Sequence, residues 1–433
     1  MLTTPGHNEK GKPMRPARPV YIAAQAITPF IGKGNPNFID RGHEAFGVRQ
    51  NPTLEGHIVA VVRKLIDDNN IDPTVIQRGY IGNFAGDLFC HQAHLGAIVA
   101  RADERLAGIG FARVEAACAS GGVGIVNAIE SIQAGLDVVL VIGAEVQTTV
   151  RAREGADYLA RAAHYESERS IDDFTFPALL ARRAKAYKET YGISDRDLAH
   201  FSVKAYSNGN RNPLAHMHAV KMTLDHAATA SDSNPKILQN PELHDHLKVS
   251  DCSQVSDGAA AVLLVSEAGL GKIGRTLQDA VQLRSYGFCT NPLGQVKDLL
   301  QLDTTAAAAR EALQDAGITP DEVQVAEVHD CFTIAELMMY EAIGFAEPGQ
   351  GMELILSGRT SLEGELPVNT GGGLVAFGHP VGATGVKQAA EIYRQMKGLC
   401  GEYQVQRELH TGLTANMGGD DRTVVSLVLE NMS

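Results

Sequence analysis

From Pro19 onward, short β-branched runs alternate with longer stretches whose apolar residues recur every three or four positions, the pattern of an α/β fold. Val20-Tyr21-Ile22-Ala23 reads as a strand, and Gly56 to Asp68 as a helix with Ile58, Val61, Val62, Leu65 and Ile66 on one face. Val138 to Gly143 is apolar at every position, as a strand covered on both faces must be. The pattern also occurs twice. Ile71-Asp72-Pro73-Thr74-Val75-Ile76 precedes an apolar stretch ending Gly82-Asn83-Phe84; Ile318-Thr319-Pro320-Asp321-Glu322-Val323 precedes one ending His329-Asp330-Cys331-Phe332. In each copy a small-residue turn then opens a helix, Cys118-Ala119-Ser120-Gly121-Gly122 in the first and Gly378-His379-Pro380-Val381-Gly382 in the second. A β-rich run follows each helix, Val138 to Gly143 and Val424 to Leu429. A repeat this long is not a solenoid period. It predicts two similar α/β halves whose glycine-rich turns meet near a pseudo-twofold axis if the halves pack face to face.

The boundaries follow from where the style changes. Residues 19–150 form the first half, completed by 250–280, and 281–433 form the second. The segment 151–249 carries Arg182, Arg183, Lys185 and Lys188, many histidines and a polar stretch from Ser231 to Asn240. It reads as an insertion covering the site, with the basic run as a solvated helix face. Residues 1–18 hold Pro5, Pro13 and Pro16 among Lys10, Lys12, Arg15 and Arg18, with no apolar core behind them. An N-terminal arm is expected there rather than a secretory signal.

Composition narrows the class. At 433 residues the chain is long enough for two or three domains of roughly 150. An apolar fraction of 44% with 21% charged residues excludes a disordered chain. No apolar run approaches the ~18 residues of a membrane helix, so no span is expected. A net charge of −13 argues against nucleic acid as a partner. Glycine, at 44 residues, exceeds the usual share of about 7% and bunches in short runs, which points to backbone held close to a ligand or a helix. The six cysteines include no CxxC pair, so free thiols in a reducing compartment are expected, cytoplasmic or else the mitochondrial matrix.

Three stretches can carry chemistry. Cys118 sits where a turn becomes a helix, so the helix dipole and unpaired N–H groups favour its thiolate; a buried packing cysteine is the alternative. His379 is held by glycine and proline before another helix, placed for general-base work or for donating to an oxyanion. A phosphate-cradling loop would need a Walker or GxGxxG pattern, which the stretch around His379 lacks. His329 and Cys331 stand two residues apart at a strand's end and can face one pocket. Zinc ligation by that pair would need a second His/Cys pair at ligand spacing, so no metal is expected. Cys252 and the remaining cysteines read as structural.

Together these motifs resemble the thiolase superfamily from about Pro19 to Glu430. Cys118-Ala119-Ser120 is similar to its nucleophile motif, Ser256-Asp257-Gly258-Ala259-Ala260-Ala261 to the segment closing the N-terminal half, and Gly378-His379-Pro380 to the histidine motif. Tyr191-Gly192-Ile193-Ser194 is similar to the thiolase loop domain. Two departures narrow the subgroup. His329-Asp330-Cys331-Phe332 stands where many thiolases have Asn-Glu-Ala-Phe. Asn416, in Thr414-Ala415-Asn416-Met417-Gly418-Gly419, stands in place of their second cysteine. This is the pattern of sterol-carrier-protein-2-type thiolases.

The resemblance implies the thiolase fold, two βαβαβαββ-type halves in five α-β-α-β-α layers with an inserted loop domain. It implies an acyltransferase of lipid metabolism, such as fatty-acid β-oxidation. Its reaction would be CoA-dependent cleavage of 3-oxoacyl-CoA or the reverse Claisen condensation. Cys118 would be the nucleophile, His379 its base and Cys331 the acid/base. His329 and His379 would form one oxyanion hole, and the backbone N–H groups of Cys118 and Gly418 the other. CoA and acyl-CoA would be substrates, with no bound cofactor. Ser253, Phe174, Phe176 and Met217 are candidate substrate contacts, and a homodimer or homotetramer is expected. Two other readings stay open: a ketoacyl-synthase-like enzyme acting on an acyl carrier protein, and a non-catalytic acyl-CoA-binding subunit. The acidic pair Asp420-Asp421 keeps the second open, because relatives have glycine-rich sequence there.

Overall fold

The computed structural model describes residues 16–432; positions 1–15 of the expected arm lie outside the described residues. The strands are β1 (Val20–Ile27), β2 (Arg78–Gly82), β3 (Gly110–Val114), β4 (Val138–Glu145), β5 (Gly258–Val265), β6 (Val281–Thr290), β7 (Val325–Val328), β8 (Thr411–Gly418) and β9 (Thr423–Asn431). The helices that position the site are α1 (Leu54–Asn69), α2 (Ser120–Gln133), α3 (Ala152–Leu159), α4 (Thr175–Tyr191), α5 (Asp195–Gly209), α6 (Asp303–Ala316), α7 (Thr333–Ile343) and α8 (Thr384–Met396).

The strands form one nine-stranded sheet in the order β3-β2-β4-β5-β1-β6-β9-β8-β7. The repeat seen in the sequence is a repeat of pairing. In the first half β2 runs parallel to β4, while β4–β5 and β5–β1 are antiparallel. In the second half β7 runs parallel to β8, while β8–β9 and β9–β6 are antiparallel. Even the irregularity repeats, with a register shift at Ile22/Ala24 in β1 and one at Leu283/Ser285 in β6. A short β1–β6 pairing, Val20 to Ile22 against Val281 to Leu283, joins the halves. Strand β5 arrives only after the long helical segment and inserts between β4 and β1, completing the first half.

Alternation along β4 shows why that strand is apolar throughout. Val139 and Val141 belong to a central core with Ile125 and Ile129 of α2 and Val386 and Ala390 of α8. Val138, Leu140 and Ile142 belong to an outer core with Ile58, Val61 and Leu65 of α1. On the far side, Leu413 of β8 and Val428 of β9 pack with Ala308 and Ala312 of α6 and Leu337 of α7. Helices α2 and α8 therefore lie between the two half-sheets, and α1 and α6 cover the outer faces. This is the expected five-layer thiolase fold. No strand of the sheet falls between Glu145 and Gly258, where α3, α4 and α5 lie. Among the described residues no helix is long and apolar enough to cross a membrane.

Candidate active site

Cys118 stands on a tight turn just before α2. Ala117 there has φ 51°, a left-handed conformation that costs an alanine energy and persists only when its surroundings enforce it. The enforcement is visible. Ala117 N donates to the Glu115 carboxylate at 2.6 Å, and Ser120 Oγ donates to Ala117 O at 2.6 Å while accepting from Ala116 N at 2.9 Å. His379 is fixed from the other half. Its Nδ1 lies 2.6 Å from Thr384 Oγ1 at the start of α8, and its backbone N donates to Ser256 Oγ at 3.3 Å. Buried His216 backs this contact, with Nδ1 2.9 Å from the same Ser256 hydroxyl.

His329 and Cys331 follow strand β7, and the residue between them faces away. Asp330 accepts from Leu374 N at 2.6 Å and from Val375 N at 3.4 Å, which holds the turn that leads to His379. The two α/β halves thus deliver their chemistry to one place. One ligand-type atom each from Cys118, His329 and His379 lies within 4.8 Å of the others, and all three side chains are buried. The two imidazole rings stand edge to face, with centroids 5.0 Å apart and an interplanar angle of 86°.

The glycine-rich turns meet as the repeat predicted. At Gly385 an added Cβ would lie 2.2 Å from Asn416 Oδ1 and 2.3 Å from Gly122 N, so α2 and α8 can cross this closely only without a side chain. Asn416 itself accepts from Gly122 N at 3.2 Å and donates to Cys118 O at 3.0 Å.

Burial dominates the electrostatics. It lowers His379 to about 3 and His329 well below the usual imidazole range, with the charge of His379 adding to the latter shift. Both rings are therefore neutral at physiological pH. Burial also pushes the Cys118 thiol up to about 12, against the backbone N–H of Gly419 and its own N–H. The helix terminus does not make a resting thiolate, contrary to the expectation from sequence. Cys331 is raised well above the ordinary thiol value, first by burial and then by Cys118. Cys118 thus becomes a thiolate only with a base beside it, and Cys331 is a thiol that holds its proton. The amide facing the Cys118 sulfur is that of Gly419, one residue beyond Gly418. Gly418 packs against Ala116 O and Ala119 N.

Cys118, Cys331 and His379 open onto a cavity of about 540 Å³. Phe84, Phe89, Leu159, Phe174 and Phe176 supply apolar walls, Ser253 a polar one, and Lys33 and Arg151 the cations. Met217 does not line it. That side chain packs in a separate apolar cluster with Ala205, Tyr206, Val375 and Ala376. Cys252, expected to be purely structural, does line the cavity.

Several supports of the site lie outside these motifs. Glu145 ends β4 and accepts from Asn83 Nδ2 and Phe84 N at 2.8 Å, Ala85 N at 3.1 Å and Gly382 N at 3.2 Å, tying the first half to the histidine turn. An acid closing an all-apolar strand was the available signal. The basic run of α4 is not a wholly solvated face, because Arg183 is fully buried and its Nε donates to Asp420 Oδ1 at 2.5 Å. Asp421 accepts from Thr304 N at 2.8 Å and Thr305 N at 2.9 Å, at the first turn of α6. Both acids of the unusual pair therefore have structural partners.

Known proteins share this architecture. The family profile described as "Thiolase, N-terminal domain" matches residues 46–268, and "Thiolase C-terminal domain-like" matches 286–431. The acetyl-CoA acetyltransferase of Methanothermobacter thermautotrophicus is 34% identical over 359 residues, covering 83% of this chain and 89% of that protein. Sterol carrier protein 2 of Homo sapiens is 27% identical over 433 residues, covering 96% of this chain and 73% of that protein. The human mitochondrial 3-ketoacyl-CoA thiolase, solved in complex with CoA, shares the fold with a TM-score of 0.67 at 17% identity, over 98% of this chain and 100% of that one. The chain belongs to the thiolase family, with sterol-carrier-protein-2-type relatives, and is an acyltransferase.

Proposed function

We propose that this protein catalyses the reversible, CoA-dependent cleavage of 3-oxoacyl-CoA to acetyl-CoA and a shortened acyl-CoA through an acyl-Cys118 intermediate. The observation that carries the reading is the convergence of Cys118, His329 and His379 within 4.8 Å, beside a cavity that also holds Cys331. His379 takes the Cys118 proton as sulfur attacks the keto carbon. The C–C bond breaks, the acyl group stays on Cys118, and the departing enolate of acetyl-CoA takes a proton from Cys331. Deprotonated Cys331 then accepts the thiol proton of incoming CoA, whose sulfur displaces the acyl group, and the released Cys118 sulfur takes its proton back from His379. Neutral His329, with its one N–H, and His379, once it carries the Cys118 proton, suit an oxyanion hole at the thioester oxygen. The N–H groups of Cys118 and of the Gly418–Gly419 turn suit the oxyanion formed on acylation.

Cys331 on the cavity wall favours this reading over a decarboxylating ketoacyl synthase, which needs no second thiol. Asp420 and Asp421 hold Arg183 and the first turn of α6, so the acidic pair is consistent with a catalytic protein. Lys33 and Arg151 are suited to the phosphates of CoA, and a homo-oligomer belongs to the same reading.

Loss of acetoacetyl-CoA absorbance on adding CoA, with an acetyl adduct on Cys118 by peptide mass spectrometry, is the expected result. Condensation of malonyl thioesters without cleavage of acetoacetyl-CoA would overturn it.

A further inference from the structure

Asn416 stands where the resemblance to thiolases places a second cysteine, and its carboxamide is fully committed. Its oxygen accepts from Gly122 N at 3.2 Å. That donor fixes which end of the amide is oxygen, so the NH2 group faces the other way. One of its protons goes to Cys118 O at 3.0 Å and the other to His329 Nδ1 at 3.4 Å. A nitrogen that receives a proton must offer its lone pair. His329 is buried, which disfavours its charged form, so its single N–H then sits on Nε2, the opposite edge of the ring.

We propose that Asn416 is a positioning residue that locks His329 as the Nε2–H tautomer and couples that ring to the backbone of Cys118. The residue replacing the lost cysteine thereby gives the site a fixed hydrogen-bond donor in place of a thiol. Gly122 and Gly385 make this possible. A Cβ on either would press on Asn416 Oδ1, at 2.9 Å and 2.2 Å respectively. A wild-type Asn416 amide therefore has no second orientation in which its oxygen faces His329 without abandoning the Gly122 N–H.

The tautomer itself does not depend on the proposed reaction; only the oxygen that Nε2–H would serve rests on that reading. The test is two-bond 1H–15N correlation spectroscopy of the full chain labelled with 15N-histidine, with His329 assigned by the His329→Gln variant. Near neutral pH the wild type should show an unprotonated Nδ1 and a protonated Nε2. Asn416→Asp places an acceptor at Nδ1 and should move the proton there. Its kcat for acetoacetyl-CoA cleavage should fall by about 10²-fold, the scale of a lost oxyanion donor, with KM nearly unchanged. Should Asn416→Asp fail to fold, the wild-type spectrum decides alone. A protonated Nδ1 in the wild type, or an unchanged tautomer or kcat in a folded Asn416→Asp, overturns the proposal. A protein with the expected tautomer that cleaves no 3-oxoacyl-CoA would overturn the proposed function and leave this inference standing.

Discussion

Arg183 Nε lies 2.5 Å from Asp420 Oδ1 with both side chains buried, and this ion pair ties α4 to the turn after β8. Arg183 Nη1 also donates to Gln301 O at 2.8 Å, so the guanidinium grips the second half at two places. Removing Asp420 leaves the Arg183 charge buried without its carboxylate, which costs about 3–5 kcal/mol. Asp420→Leu should lose that much in chemical denaturation, and Arg183→Met less, because Arg182 Nη2 stays 3.7 Å from Asp420 Oδ2. The double variant should regain most of it, since apolar groups of similar volume replace a buried pair at little cost. Asp420 adjoins Gly419, whose N–H faces Cys118, so kcat should stay depressed in the double variant. Full recovery of kcat together with stability would show that the pair has no bearing on the site.

The raised Cys118 thiol makes a prediction about pH. Only thiolate reacts with chloroacetamide, and a thiol near 12 has a thiolate fraction that grows about tenfold per pH unit below that value. In the free protein the alkylation rate at Cys118, followed by peptide mass spectrometry, should climb steadily from neutral pH to about 10. A rate already flat around neutral pH would mean a resting Cys118–His379 ion pair and a charged imidazole, contrary to the burial of both groups.

Much of this site was legible because the residues that converge on it sit in short local motifs. Cys118, His379, His329 and Cys331 each stand at a strand end or a helix start, and the repeated Pro73 and Pro320 turns marked the two halves. What escaped was long-range. Nothing beside Arg183 in the sequence distinguishes it from Arg182 or Lys188, because its partner Asp420 is 237 residues away. Met217 looked like a pocket residue because it falls in the right segment, but its neighbours Val375 and Ala376 come from the other half. Asn416 was visible only as a missing cysteine; its work depends on Gly122 and His329, which the fold brings to it.

The crossing of α2 and α8 should tolerate no side chain. In Gly385→Ala the new Cβ would meet a backbone nitrogen at 2.3 Å and a side-chain oxygen at 2.2 Å that is itself held by hydrogen bonds. A loss of about 3 kcal/mol or more is expected, at the upper end of overpacking. Gly271 is the control, since it lies in the helix Glu267–Lys272 and an added Cβ there meets nothing within 4 Å. Gly271→Ala should stabilise by about 0.5–1 kcal/mol by restricting the unfolded chain. Equal effects of the two substitutions in thermal melts would refute the close crossing.

The aromatic walls of the cavity predict a preference among acyl chains. An acetyl group buries little apolar surface, whereas Phe84, Phe89, Phe174 and Phe176 line one cavity beside Cys118. Each methylene moved from water to such walls contributes about 0.8 kcal/mol, or roughly fourfold in kcat/KM if it is buried fully in the transition state. Activity on straight-chain 3-oxoacyl-CoA substrates should therefore rise from acetoacetyl-CoA by several-fold per added carbon until the cavity is full. Gly155 sets that limit, because it lines the cavity and an added Cβ would stand 3.4 Å from Phe89 and 3.6 Å from Val150. An alanine fits there, but the branches of a leucine must project into the space between the aromatic rings. Gly155→Leu should flatten the chain-length profile chiefly by losing the longer substrates. A wild-type profile that peaks at acetoacetyl-CoA would instead assign the aromatic walls to the pantetheine arm.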